Sequence, residues 1–135
     1  MRTTLIAVVA AVGLVLAAVP VRAHHAFAAE FDQNKPIKVQ GAVTKWELTN
    51  PHSWIWIDVK GEDGKAVTWM IEGASPNNLY RLGLTKESLP AGSEITVEGY
   101  QAKDGSTRAV GRNITFANGK KFFLGLTEAE GAPKQ

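Results

Sequence analysis

The chain has no cysteine in 135 residues. Disulfides are therefore excluded, and so is a lipid anchor on a cysteine. Any fold must stand on its hydrophobic core. Charge of one sign is also scarce. The formal excess of two positive charges disappears once the first 23 residues are set aside, because Arg2 and Arg22 go with them. What remains carries 13 basic and 13 acidic residues. No basic patch is visible that could neutralise phosphates, so nucleic acid is not an expected partner. Nucleophile elbows, phosphate loops and metal-hydrolase spacings are missing as well. A non-enzymatic protein is the expectation that follows.

Long apolar runs are absent except at the start. Met1-Arg2-Thr3-Thr4 is followed by an apolar stretch from Leu5 to Val19, then Pro20-Val21-Arg22-Ala23. That stretch falls short of the about 20 residues a helical span needs. The pattern is a secretory signal peptide, with cleavage expected after Ala23. Residues 1–23 are thus assigned to export. Residues 24–34 form an N-terminal arm, 35–125 a single domain, and 126–135 a flexible tail. The expected location is periplasmic or secreted, with no stable membrane span after cleavage.

What is present in abundance is strand pattern. Ile37, Val39, Gly41 and Val43 alternate with Lys38, Gln40, Ala42 and Thr44, and Gly41 marks a bend in a long first strand. Further strands are expected at 53–60, 65–72, 94–102, 108–116 and 120–124. Asp63-Gly64, Asp104-Gly105 and Asn118-Gly119 mark the turns. Between the third and fourth strands, Ser75-Pro76 opens a short helix that Gly83 stops. Phe27 and Phe31 sit four apart in the arm. They suit either one helical face or an extended segment, and Lys35-Pro36 is expected to end it. The element order predicts a mainly β protein. The expected form is a small five- to six-stranded barrel of the oligonucleotide/oligosaccharide-binding (OB) type, with one short helix between strands three and four. A plain β-sandwich is the alternative.

The richest stretch is KWELTNPHSWIWIDV, residues 45–59. Asn50-Pro51 makes a turn and presents His52 at a strand junction. Beyond it, Ile55, Ile57 and Val59 are expected core, and Trp54, Trp56 and Asp58 point the other way. Two candidate sites follow. The first is a metal site. Cleavage after Ala23 makes His24 the first residue, offering an α-amine and an imidazole to one metal. His25 is next to it, and His52 would add a further imidazole. These donors suit Cu(II), Ni(II) or Zn(II), with copper preferred here. Glu30, Asp32 and Met70 are weaker ligand candidates. In the structural alternative, His52 simply bonds backbone and the N-terminus frays. The second candidate is an indole face, with Trp46, Trp54, Trp56 and Trp69 available to stack on a small organic ligand or a protein partner. In its structural alternative, Phe27, Phe31, Phe122 or Phe123 covers Trp54 and Trp56. Glu47, Asp58 and Glu72 read as single, solvated strand acids.

His24-His25-Ala26-Phe27-Ala28-Ala29-Glu30-Phe31-Asp32, Asn50-Pro51-His52, Glu98-Gly99-Tyr100 and Lys103-Asp104-Gly105 together resemble a family of small secreted bacterial proteins catalogued as a domain of unknown function. The paired histidines and the Asn-Pro-His turn are the most specific elements. The resemblance spans essentially all of the chain after residue 23. It implies a periplasmic location and one small β-domain, and brings no activity with it.

Overall fold

Alternation of apolar and polar residues dictates the architecture. The computed structural model describes residues 29–125, and the expectations for the leader, for His24, His25 and Phe27, and for the 126–135 tail lie outside them. Six strands form: β1 (Phe31–Thr49), β2 (His52–Lys60), β3 (Ala66–Gly73), β4 (Glu94–Ala102), β5 (Arg108–Phe116) and β6 (Lys121–Phe123). A helix α1 (Pro76–Arg81) and a 3₁₀ turn (Lys86–Ser88) separate β3 from β4. The protein is mainly β, and its strands pair antiparallel in the order β3-β2-β1-β4-β5-β6. A short parallel pairing of Met70–Glu72 with Arg108–Val110 also joins β3 to β5.

The 19-residue β1 serves two neighbours. Its residues from Pro36 to Ala42 pair with β4, and those from Ala42 to Thr49 pair with β2. The changeover occurs beside Gly41, where a Cβ would run into the Asp58 carbonyl of β2. Glycine is needed there for close approach of two backbones. The register slips by one residue between Val43 and Lys45, leaving Thr44 as a bulge. Its hydroxyl donates to the Trp56 carbonyl at 3.3 Å.

The arm differs from expectation. Residues 29–30 are helical, and β1 begins at Phe31, so Lys35-Pro36 lies inside the strand rather than ending an arm. The strand tolerates Pro36 because this residue opens the paired run after the register shift between Phe31 and Pro36. Phe31 then pairs with Ala102, and the Lys103 amide donates to the Glu30 carbonyl at 2.9 Å.

Buried side chains from the five longer strands meet in one core, and Phe122 of β6 packs against it. Val43, Ile55, Ile57, Ile71, Ile95, Val97 and Ile114 are buried in it, joined by Leu79 of α1 and by Leu84, Leu89 and Leu124. Ser75 caps α1, accepting from the Asn78 amide at 3.4 Å, and Pro76 takes the first helical position. A second, smaller cluster of Phe31, Ala102 and Val110, with Tyr100 against it, lies apart from this core.

Candidate functional site

The Asn50-Pro51 turn, whose peptide bond is cis, delivers His52 to the first position of β2. Alternation then fixes the faces. Ser53, Ile55 and Ile57 are buried, while His52, Trp54 and Trp56 are half-buried on the opposite face. Register adds neighbours from β3, with Trp54 opposite Glu72, Trp56 opposite Met70 and Asp58 opposite Thr68. Arg108 on β5 is opposite Met70. One face therefore carries His52, Trp54, Trp56, Met70, Glu72 and Arg108.

Within that face His52 and Glu72 form a pair. Nδ1 of His52 contacts Oε1 of Glu72, and Glu72 is only 7% exposed. This corrects the reading of Glu72 as a solvated strand acid. It also corrects the view of His52 as a turn residue bonded to backbone. Burial pushes the Glu72 carboxyl above the ordinary carboxylate value of 4.5, against the opposing pull of His52; nearby Glu30 adds to the rise and Arg108 opposes it. Arg108 in turn holds Glu30 through Nη2 and Oε2 at 2.5 Å and lies over the Phe31 ring at 5.6 Å. The first described residues of the chain are thus fastened beside the His52–Glu72 pair.

The four tryptophans divide. Trp46 lies opposite Ile55, and Trp69 opposite Ile57. Both are partly buried against the core, and Trp46 donates from Nε1 to the Thr85 carbonyl at 3.1 Å. Trp54 and Trp56 sit on the opposite face, with the Lys45 ammonium 4.7 Å from the Trp56 ring. Phe31 belongs to the separate cluster with Ala102 and Val110, and Phe122 packs edge-on to Phe116 at 5.3 Å. Asp58 accepts from the Thr68 hydroxyl at 2.6 Å, and Glu47 pairs with Lys45 at 2.6 Å.

Among the described residues no set of three or more His, Cys, Asp or Glu is arranged to hold a metal. His24 and His25 lie outside those residues. Nor is any helix among them long and apolar enough to cross a membrane. Sequence reasoning missed Glu72 and Arg108. The signal for Glu72 was its place in the run TWMIEG, where it follows the core-facing Ile71 and ends the strand near the Asn-Pro-His turn.

The family model of DUF6152 matches residues 10–112, which span His52, Glu72 and Arg108. The chain belongs to this family of unknown function. No curated protein and no solved structure matches it. The DUF6152 match agrees with the resemblance carried by the Asn-Pro-His turn, and the chemistry of this member has to be argued from its own side chains.

Proposed function

We propose that this DUF6152 protein is an exported, non-enzymatic binding module that takes a transition metal, copper first, at His52. The observation that carries the reading is the His52–Glu72 pair. A buried carboxylate on Nδ1 fixes the ring and its tautomer and leaves Nε2 as the lone-pair donor. That is the outer-shell arrangement found behind metal-bound imidazoles. The remaining donors would come from the N-terminus, His24 with its amine and ring, and His25. Glu30 is anchored to Arg108 close to the pair. His24 lies six positions before Glu30, within at most roughly 20 Å of extended chain. Imidazole and amine nitrogens suit Cu(II).

Fold and location belong to the same proposal. The pairing sequence β1-β2-β3-β5-β4-β1 supports an OB-type barrel, in which strands two and three carry the binding face. Residues 1–23 are the signal peptide in this reading, and the protein acts in the periplasm or outside the cell. A second reading, a protein or small aromatic ligand on the indoles, is favoured by Trp54 and Trp56 standing two residues apart on that same face.

The test is a Cu(II) titration of protein beginning at His24, followed by tryptophan fluorescence, since Trp54 is two residues from His52. One extra residue before His24, and separately His52→Ala, should each weaken binding roughly 10-fold or more. Unchanged affinity in both variants would refute the metal reading. Retention of a periplasmic protein by the wild type but not by Trp54→Ala/Trp56→Ala would favour the second.

A further inference from the structure

Arg112 owes its position to a bulge. Between Glu98 and Gly99 of β4 the register against β5 slips, with Glu98 opposite Asn113 and Gly99 opposite Gly111. Arg112 is left without an opposite residue. A bulge re-aims the side chain it displaces. Here the side chain lines a groove of about 390 Å³ along β1 and β4, together with Pro36, Ile37, Lys38, Glu98, Gly99 and Tyr100. The volume falls in the range of small-molecule sites. At Gly99 a Cβ would strike the Val110 carbonyl, so glycine is what lets β4 and β5 approach this closely at the bulge.

The guanidinium is under-used. Nη1 of Arg112 donates to the Tyr100 hydroxyl at 3.1 Å. No carboxylate pairs with it among the described residues. A guanidinium has five donors in a planar fork that matches a carboxylate. Lys38, which lines the groove, and Lys121 of β6 both pair with Glu98, at 3.8 and 2.9 Å.

We propose that this groove binds a small organic monocarboxylate, its carboxylate on Arg112 and its apolar body against Pro36, Ile37 and the Tyr100 ring. Lys38 and Lys121 offset the Glu98 carboxylate, so Arg112 leaves the groove with a positive excess, and contact with an apolar body rather than charge favours a monocarboxylate over phosphate. The site is separate from the His52–Glu72 pair, and the proposal holds whether or not copper binds there.

Benzoate is the probe, with benzamide and inorganic phosphate as comparisons, read by ¹H–¹⁵N NMR titration of the described domain in the full exported chain. Benzoate should give saturable shifts at Gly99, Tyr100 and the Arg112 side chain, with benzamide and phosphate much weaker. Arg112→Gln should weaken benzoate roughly 10-fold or more, and Arg112→Lys, which keeps the charge but loses the fork, by less. Glu98→Gln should tighten it, a test that leaves Arg112 in place should its substitution unfold the chain. Equal shifts with benzoate and benzamide, phosphate binding as tight as benzoate, or undiminished affinity in Arg112→Gln would overturn the proposal. So would unchanged or weaker affinity in Glu98→Gln.

Discussion

Ser53 and Glu72 are buried polar residues of the β2–β3 ladder, Ser53 opposite Gly73 and Glu72 opposite Trp54. Ser53 is fully buried, and among the described residues its Oγ has no hydrogen-bond partner. A buried, unsatisfied hydroxyl costs about 1–3 kcal/mol. Ser53→Ala should therefore raise stability by about 1 kcal/mol, a shift of roughly 4–8 °C in Tm for a domain of this size. A thermal melt that falls instead would show the hydroxyl to be bonded. Glu72 makes a pH-dependent prediction. Its carboxyl binds a proton more tightly in the fold than in the unfolded chain. Its contribution is thus fullest below the ordinary value of 4.5 and is lost as pH rises through the raised value. In metal-free protein, Glu72→Gln should match the wild type in acid and become progressively more stable than it toward neutral pH. A Tm difference that is flat across this range would contradict the assignment.

At the scale of elements, β1 is the critical piece, because both halves of the sheet are attached to it. Gly41 lies where it passes from β4 to β2, against the Asp58 carbonyl. Gly41→Ala should cost about 1–3 kcal/mol by forcing these backbones apart, visible as a lower denaturation midpoint. A neutral effect would mean that β1 can shift to admit a methyl. β6 pairs with β5, and Lys121 adds a tie to Glu98 on β4. Lys121, and more weakly Lys38, hold the Glu98 carboxyl below its usual range. This stabilisation is present above the unfolded carboxylate value and fades as pH falls through the lowered one, the opposite sign to Glu72. Because the Glu98 side chain is partly open to solvent, Glu98→Gln should lower the neutral-pH Tm only slightly, and the difference should vanish in acid and in high salt.

At the scale of the whole molecule, stability rests on apolar packing without covalent help. Ile57, fully buried at the centre of the core, should cost about 2–5 kcal/mol as Ile57→Ala. Total stabilities of such domains are about 5–15 kcal/mol. The variant should therefore melt far below the wild type, and a change under about 1 kcal/mol would show that the core collapses to fill the space.

The sequence by itself determined the strands, apart from the start of β1, together with the turns and the capped helix. It also set which of Ile55, Ile57, Trp54 and Trp56 face inward. These are local properties: a period of two, glycine in turns and a serine-proline start depend on neighbours a few residues away. The family could be read too, from the paired histidines and the Asn-Pro-His turn. Only the tertiary structure decided that Glu72 meets His52, that Arg108 fastens Glu30 beside them, and that Arg112 opens on a groove. Each of these depends on pairing between strands distant in sequence and on where a bulge displaces the register. No local pattern reports that, because a slip of one residue moves a side chain to another face without changing its neighbours in the chain.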